Sequence, residues 1–366
     1  MSFELPPYPY DLLDPYRRIA AQHSGGVVDL SVGTPCDPPP IQAVHALAES
    51  DSERGYPSSV GSEEFRESCR KWVKRRFDVD LKIENNIAAC IGTKEFVVST
   101  PHFLRLRNPE KDTVLYPEVS YPSYAMGAEL SGCRAVPVRI DDDGQLLLQE
   151  LEQSDINRAL MLWVNYPSNP TGAVADLESI AKWGRSHSIP VFSDECYTEF
   201  VWGQTPQTIL SKDLSGVVAV HSLSKRSNLA GVRAGFYAGD EDLVFWLKEI
   251  RKHSGKMIPG PVQAAASAAY SDDQHVEEQK QRYRERLDFL RSCFDSLNIK
   301  TEFPQGAFYL WVESEPDGSW ELVDRLASEI GVIVAPGTFF GSPNHIRVAA
   351  VQTLETLELI TDRLPG

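Results

Sequence analysis

The most informative stretch of the sequence is His221-Ser222-Leu223-Ser224-Lys225-Arg226-Ser227-Asn228-Leu229-Ala230-Gly231-Val232-Arg233. It follows a short apolar run, residues 217–220, that predicts a buried strand. Its two hydroxyls, lysine, glycine and arginine could hold an anion beside a reactive amine. A solvated loop with incidental basic residues would have the same composition, because short motifs have many chance matches. The rest of the sequence decides between these interpretations.

Short apolar runs alternate with helical patterns through the middle of the chain. Strands are predicted at residues 113–116, 159–164, 190–193, 217–220 and 236–238. Such alternation predicts an α/β fold whose mainly parallel sheet is covered by helices on both faces. Ligands bind such sheets at the carboxyl ends of the strands. Polar loops follow three of these strands, at residues 165–172, 194–197 and 222–225. A further polar loop, at residues 92–95, follows another predicted strand end.

The pattern changes after about residue 255, where Pro259-Gly260-Pro261 interrupts the chain. A long helical region follows, and then strand-like runs and a terminal helix. We therefore predict a large domain over residues 41–255. Residues 1–40 are expected to form a proline-rich arm that joins residues 256–366 in a smaller α+β domain.

Length, charge and cysteine content restrict the class of protein. The chain has 366 residues, enough for a large core. Its formal net charge of −16 disfavours nucleic acid or an anionic membrane as the main partner, because both bind positive surfaces. The six cysteines form no Cys-x-x-Cys pair, which indicates reduced thiols. With no signal peptide, membrane helix or metal-ligand pattern in the sequence, we expect a soluble cytoplasmic protein without a metal site.

Two of the polar loops carry distinctive chemistry. The loop at residues 165–172 is dense in proline and asparagine, so it can hold the Asn169 amide in one pose. Asp194 follows a buried strand, and an unpaired buried aspartate costs several kcal/mol on the usual order-of-magnitude scale. No lysine or arginine lies in its immediate stretch. A ligand cation, such as a protonated pyridine nitrogen, would supply the partner.

Together the motifs resemble the class I/II aminotransferases, which are fold-type-I enzymes that use pyridoxal 5′-phosphate. The motifs are Ser31-x-Gly33-x-Pro35, Gly92-Thr93-Lys94, Tyr121-Pro122-x-Tyr124, Asn165-x-Pro167-x-Asn169-Pro170-Thr171-Gly172, Asp194-x-x-Tyr197, Ser222-x-Ser224-Lys225 and Arg347. They occur in the family's order from about residue 27 to 350. A match to one motif alone is weak evidence for the family, whereas a match to the whole ordered set is specific to it.

The resemblance implies a role for each matching residue. Lys225 would bind the cofactor aldehyde and move the substrate α-proton, which requires a lowered amine pKa. Asp194 would keep the pyridine nitrogen protonated, so that the ring accepts electrons. Asn169 and Tyr197 would bind the phenolic oxygen, and Tyr121 would stack on the ring, although core packing is the alternative for Tyr121.

The remaining matches concern the phosphate and the substrate. The turn formed by Gly92, Thr93 and Lys94 would bind the phosphate, together with Ser222, Ser224 and the planar fork of Arg233. Tyr56 would reach this phosphate from the neighbouring subunit of a homodimer. Arg347 would bind the substrate α-carboxylate, assisted by Gly33 and Asn169.

Within the family, the chain is similar to actinobacterial N-succinyldiaminopimelate aminotransferases. The match includes residues 30–35, 55–57, 91–95, 221–235, 251–259 and 308–311. It implies that an amino group moves between glutamate and a succinylated keto acid, N-succinyl-2-amino-6-oxopimelate, in lysine and diaminopimelate biosynthesis. Both partners are polyanionic, so the site needs a cation besides Arg347. The hypothesis is that Lys94, Arg251 or Lys256 supplies it.

Three other functions share these motifs. An aminotransferase for aspartate, aromatic or branched-chain amino acids would have every cofactor residue. A carbon–sulfur lyase of the same fold would have them too, but it would release pyruvate and ammonia without a keto acid. A cofactor-sensing transcription regulator would need a DNA-binding region ahead of about residue 27, and we expect no room for one.

Overall fold

The computed structural model describes residues 6–314 and 318–364. Residues 1–5 of the predicted arm, and residues 315–317 and 365–366 of the predicted smaller domain, lie outside the described residues. The strands in the described ranges are β1 Val28–Asp29, β2 Ile87–Cys90, β3 Thr113–Pro117, β4 Arg134–Val138, β5 Ala159–Val164, β6 Val191–Asp194, β7 Val217–Ser222, β8 Gly235–Gly239, β9 Tyr309–Glu313, β10 Val332–Ile333, β11 Ala335–Pro336 and β12 His345–Ala349.

Helices connect most of these strands. The α-helices in the same ranges are α1 Asp14–Ala20, α2 Ile41–Glu49, α3 Glu63–Phe77, α4 Thr93–Arg107, α5 Ser123–Leu130, α6 Gln153–Arg158, α7 Leu177–Ser186, α8 Leu223–Arg226, α9 Glu241–His253, α10 Gly260–Ser271, α11 Gln274–Ser296, α12 Ser319–Ile330 and α13 Leu354–Thr361. Short 3₁₀ turns occupy Pro9–Leu13, Leu148–Glu150, Ala230–Val232 and Gly337–Phe340.

A seven-stranded sheet forms the centre of the described structure, with the order β2-β8-β7-β6-β5-β3-β4. Strand β8 is antiparallel to both of its neighbours, and the other pairs are parallel. The predicted α/β fold with a mainly parallel sheet is therefore confirmed. Because β8 runs the opposite way, its first residue lies at the edge where the parallel strands end.

Helices cover both faces of this sheet. In β5, Leu162 and Val164 pack into one apolar cluster, whereas Met161 and Trp163 pack into another on the opposite face. Each such side chain stabilises the fold by about 1.5–3 kcal/mol when it is fully buried. Burial on both faces explains why β5 is a continuous apolar run rather than an alternating one.

A second, smaller layer contains the last strands. In the described residues, β11, β12 and β9 form an antiparallel sheet, and β1 pairs in parallel with β10. Helix α1 packs on α12. The amino-terminal arm is therefore built into the carboxyl-terminal part of the chain.

Helix α10 packs with the large sheet rather than with the smaller layer. It contacts α2 and α3, and its Ala265, Ala266 and Tyr270 lie in the same apolar cluster as Leu162. The break at Pro259 suggested a domain boundary at residue 255. We propose that the large domain extends to Ser271 rather than residue 255, because the apolar face of α10 is buried against helices of the large sheet.

Two composition-based expectations can be compared with the described residues. All six cysteines are free, and four of them are buried. Among residues 6–314 and 318–364, every helix is too short or too polar to cross a membrane.

Candidate active site

A cavity of about 410 Å³ lies where the parallel strands of the large sheet end. The predicted site residues that line it are Gly33, Thr93, Lys94, Tyr121, Asn169, Asp194, Tyr197, Ser222, Ser224, Lys225, Arg233 and Arg347. Gly92 comes just before Thr93 in the chain but does not itself line the cavity. Tyr56 does not line the cavity either, and its side chain is fully exposed. The fold thus brings together loops that are far apart in sequence.

Lys225 presents a partly neutral amine to this cavity. It lies in α8, whose start is capped by Ser222 Oγ, which accepts a hydrogen bond from the Ser224 N–H at 3.0 Å. Its Nζ donates to the carbonyl oxygen of Gly33. Burial lowers the pKa of Lys225 to about 8, because desolvation disfavours the charged amine. Such an amine is more nucleophilic near neutral pH than an exposed lysine.

Arg226 anchors the short helix that carries Lys225. Its Nε donates to Glu199 Oε1 at 3.2 Å, and its Nη1 donates to Ser227 Oγ at 3.1 Å and to the Ala269 carbonyl oxygen at 2.7 Å. Its Nη2 donates to the Asp272 carbonyl oxygen at 3.1 Å and to Asp273 Oδ1 at 3.0 Å. All five guanidinium donors therefore have acceptors, so α8 is fixed to the end of α10.

Asp194 is a buried carboxyl group at the end of β6. Its Oδ2 accepts a hydrogen bond from the Tyr124 hydroxyl at 3.1 Å, and its Oδ1 accepts one from the Cys196 N–H at 3.3 Å. Burial raises the pKa of Asp194, although both hydrogen bonds act in the opposite direction. In the described part of the chain no lysine or arginine forms an ion pair with it. The cavity wall therefore suits a bound cation beside Asp194.

The end of the cavity near Arg233 suits an anion. Arg233 has φ +58°, and its Nη1 donates to the Ala230 carbonyl oxygen at 2.8 Å. A Cβ at Gly92 would lie 2.5 Å from Arg233 Nη2. The glycine therefore lets the guanidinium approach the start of α4 at Thr93. Free N–H groups and the positive end of the helix dipole at this point favour a phosphate.

Arg347 also lines the cavity, and hydrogen bonds hold its guanidinium in place. Its Nη1 donates to Asn169 Oδ1 at 2.7 Å, and its Nη2 donates to the Ser31 carbonyl oxygen at 2.6 Å and to the Tyr10 hydroxyl at 3.2 Å. The guanidinium lies 4.4 Å from the centroid of the Tyr309 ring. A buried, planar cation in this fixed position suits a carboxylate.

The three candidate distal cations have different surroundings. Lys94 lines the cavity, with its Nζ 5.6 Å from the Tyr8 ring centroid and 5.8 Å from the Tyr121 ring centroid. Arg251 and Lys256 both form ion pairs with Glu95, at 2.6 and 3.0 Å. Neither of them lines the cavity. Lys94 is therefore the candidate that the geometry retains.

Sequence reasoning missed several cavity residues. Tyr8 and Tyr10 belong to the proline-rich arm, and Tyr124, Cys196 and Tyr309 lie next to or within the quoted motifs. An aromatic residue in a motif indicates core packing as readily as a site. The tyrosines of the arm gave no signal, because their contacts depend on the return of the carboxyl-terminal strands.

The sheet, the partly buried lysine, the buried aspartate and the anion-binding turns together define a fold-type-I enzyme of the pyridoxal-phosphate class. A family model described as aminotransferase class I and II matches residues 25–364. The chain therefore belongs to the class I and II aminotransferases, and its cofactor is pyridoxal 5′-phosphate.

Three similar proteins illustrate the range of substrates in this family. The chain is 37% identical to 4-dedimethylamino-4-oxo-anhydrotetracycline transaminase OxyQ of Streptomyces rimosus, over 99% of each chain. It is 33% identical to the LL-diaminopimelate aminotransferase of Aquifex aeolicus, over 98% of this chain and 96% of that one. A solved structure of a probable N-succinyldiaminopimelate aminotransferase from Thermus thermophilus superposes with a TM-score of 0.86 at 29% identity, covering 97% of this chain and 98% of that chain.

The residues that surround the cavity fit this cofactor. A buried aspartate without an ion pair in the described residues suits its ring nitrogen, the Arg233 end suits its phosphate, and a lysine with a lowered pKa suits its aldehyde. When bound, pyridoxal phosphate supplies an electron sink for the bond that breaks at the amino-acid α-carbon. No group of three or more His, Cys, Asp or Glu side chains in the described ranges is placed to hold a metal ion.

Proposed function

We propose that this chain is an N-succinyl-LL-diaminopimelate aminotransferase that exchanges an amino group with glutamate and 2-oxoglutarate. The observation that supports the proposal most is that Lys94 lines the cavity and has no carboxylate partner among the described residues. A distal carboxylate on the substrate would supply that partner. The names of the similar Aquifex and Thermus proteins, which refer to diaminopimelate compounds, also support this substrate class.

The amino-terminal arm links Lys94 to Arg347. The Lys94 amine lies over the Tyr8 ring, the centroids of Tyr8 and Tyr10 are 5.8 Å apart, and the Tyr10 hydroxyl accepts from Arg347. In the proposed complex Arg347 binds the α-carboxylate and Lys94 binds a carboxylate at the far end. A long, doubly anionic amino acid would then lie along the row of tyrosines. A substrate without the distal charge would leave Lys94 desolvated and unpaired, which costs binding energy.

The other residues take the following proposed roles. Lys225 would bind the cofactor aldehyde and, once the amino group of the substrate has displaced it, its free amine would take the proton from the substrate α-carbon. Its lowered pKa favours the neutral form that this requires. Asp194 would hold the ring nitrogen protonated. Asn169 and Tyr197 would donate hydrogen bonds to the phenolic oxygen, and Tyr121 would stack on the ring.

The phosphate has its own proposed ligands. Thr93 and Lys94 offer backbone N–H groups at the start of α4, after the turn at Gly92. Ser222 and Ser224 offer hydroxyls, and Arg233 offers its guanidinium. Tyr56 completes the phosphate site across the interface of a homodimer, which accounts for its complete exposure in one subunit.

Steady-state kinetics test the substrate directly. The holoenzyme is mixed with 2-oxoglutarate and, in separate reactions, with N-succinyl-LL-diaminopimelate, aspartate, aromatic and branched-chain amino acids. We expect the highest kcat/KM with the succinylated substrate. Preference for another donor would contradict the substrate, and release of pyruvate without a keto acid would contradict transamination.

A pair of variants tests the role of Lys94. Lys94→Met should raise the KM for the succinylated substrate about tenfold or more, as expected for a lost charged hydrogen bond. Lys256→Met is the matched control, because Lys256 is paired with Glu95 outside the cavity. Equal KM values in both variants would exclude Lys94 as the distal cation without excluding the reaction.

A further inference from the structure

Tyr309 is a buried residue at the start of β9 that the proposed roles do not use. Its hydroxyl lies 2.9 Å from the hydroxyl of Tyr197. The same hydroxyl covers Gly33, since a Cβ at Gly33 would lie 2.2 Å from Tyr309 Oη. Gly33 in turn accepts the hydrogen bond from Lys225 Nζ. The Tyr309 hydroxyl therefore lies among the groups that surround the reactive lysine.

The ring of Tyr309 has a second contact on its face. The Arg347 guanidinium lies 4.4 Å from its centroid, and the Phe340 ring lies on Arg347 at 4.5 Å. The two rings hold the guanidinium by cation–π contacts. One side chain thus contacts both the proposed phenolic-oxygen ligand and the proposed carboxylate ligand.

We propose that Tyr309 is a positioning residue with two separable functions, in which its hydroxyl orients the proton of Tyr197 and its ring orients Arg347. The proposal rests on the roles proposed above for Tyr197 and Arg347. It does not depend on which amino acid is the substrate.

The hydroxyl function follows from the number of protons available. A tyrosine hydroxyl has one proton to donate and can accept a hydrogen bond at the same time. When Tyr309 donates to Tyr197, the Tyr197 proton is free to point at the phenolic oxygen, and the two bonds reinforce each other. When Tyr197 donates to Tyr309 instead, that proton is lost to the cofactor. Tyr309 therefore strengthens Tyr197 as a donor to the cofactor when Tyr309 itself donates to the Tyr197 oxygen.

The surroundings keep Tyr309 protonated. Burial raises the pKa of Tyr309 to about 12, although the positive charge of Arg347 acts in the opposite direction. The titratable or charged groups that face its hydroxyl are Arg347, Tyr197, Tyr10 and Tyr121, and Lys225 lies across Gly33. Tyr309 thus remains a donor throughout the range in which the enzyme would be assayed.

Three variants separate the two functions. Tyr309→Phe removes the hydroxyl and keeps the ring, Tyr309→Leu removes both, and Phe340→Leu alters only the opposite face of Arg347. Each holoenzyme is titrated with pH while the visible absorbance of the bound cofactor is followed. Each is then mixed with the amino donor that the wild type converts fastest, and the dissociation constant of the donor is taken from the single-turnover rates.

Loss of the Tyr309 hydroxyl should raise the pKa obtained from the visible absorbance of the bound cofactor. A donor to the phenolic oxygen favours its proton-free form. Tyr309→Phe removes the hydrogen bond that Tyr309 donates to the Tyr197 oxygen, so Tyr197 becomes a weaker donor and that pKa should rise by about half a unit. Its donor affinity should stay within about twofold of the wild type, because the ring is retained. Phe340→Leu should weaken donor affinity about fivefold and leave the absorbance pKa unchanged. Tyr309→Leu should show both effects.

An unchanged absorbance pKa in Tyr309→Phe would overturn the hydroxyl function. Donor affinity equal to that of the wild type in Tyr309→Leu would overturn the ring function. Should Tyr309→Leu fail to fold, Tyr309→Phe still tests the first function, and Tyr309→Met, which also removes the ring, replaces it for the second. The pH titration uses no substrate, so its outcome is independent of the proposed succinylated substrate.

Discussion

Glu95 binds the buried guanidinium of Arg251 through two contacts, 2.6 Å from Oε2 to Nη2 and 3.0 Å from Oε1 to Nη1. Glu95 lies in the first turn of α4, and Arg251 lies in the last turn of α9. The pair therefore fixes the helix whose start borders the cofactor cavity. This geometry explains why Arg251, which resembles a substrate ligand in the sequence, is not available to bind one.

Arg251→Met should destabilise the protein more than it affects substrate binding. Removing one partner of a buried pair leaves the other charge poorly compensated, which typically costs about 3 kcal/mol. Lys256 also contacts Glu95 and would limit this loss. Urea unfolding measures the effect, with the exposed Lys252→Met on the same helix as a control that should change stability by less than about 0.5 kcal/mol. A large rise in the KM for the substrate at unchanged stability would instead indicate that Arg251 binds the substrate.

The reactivity of Lys225 should depend on pH with a midpoint near its lowered pKa of about 8. Below that pH the amine is protonated and cannot attack an aldehyde, so covalent loading of the apoprotein should accelerate as pH rises and level off above it. Stopped-flow absorbance after mixing with pyridoxal phosphate gives the rates. A midpoint near the ordinary lysine pKa of about 10.4 would contradict the effect of burial. Lys225→Ala should show no covalent absorbance band, and a retained band would exclude Lys225 as the attachment point.

Gly92→Ala should weaken cofactor binding. The added Cβ would lie 2.5 Å from Arg233 Nη2, and the backbone at Gly92 has φ +74°, a region that alanine rarely adopts. We expect the dissociation constant for pyridoxal phosphate to rise about tenfold, which is a cost of about 1.4 kcal/mol. Gly231→Ala is the control, because a Cβ there meets nothing within 4 Å and its φ is not positive. Equal affinity in the two variants would show that Arg233 does not need this space.

The Tyr56→Phe variant, compared with the wild type, tests the proposed dimer. Its side chain is fully exposed in a single chain, as expected for a residue that functions in a neighbouring subunit. Sedimentation equilibrium should give a dimer for the wild type and for Tyr56→Phe, while the variant should bind pyridoxal phosphate a few-fold more weakly, as expected for one lost hydrogen bond. A monomer with full activity would contradict both the dimer and the role of Tyr56.

The sequence could predict that the loops carrying the proposed cofactor residues meet in one cavity, because that prediction depends on local patterns. Asp194 and Lys225 each follow a continuous apolar strand, and parallel strands bring their carboxyl ends to one edge of the sheet. Lys225 could thus be placed near Asp194 without knowledge of the packing. The start of α3 is likewise set locally, because the Ser62 hydroxyl accepts a hydrogen bond from the Phe65 N–H at 3.1 Å.

Relationships between distant residues could not be predicted in this way. Glu95 and Arg251 are 156 positions apart, and no periodicity connects them. Tyr309 meets Tyr197 across 112 positions. The packing of helix α10 could not be predicted for a related reason, since its alanine-rich sequence after a proline break does not indicate the layer on which it packs. Its partners α2 and α3 precede it by roughly two hundred residues.

The amino-terminal arm has a practical consequence for work on this enzyme. The family model begins at residue 25, so an expression boundary chosen from the family alone would remove Tyr8 and Tyr10. Arg347 would then lose the Tyr10 hydroxyl, and Lys94 would lose one of the two rings beside it. Such a shortened protein could keep the large sheet and the cofactor while binding substrates poorly. Affinity tags are therefore better attached at the carboxyl terminus.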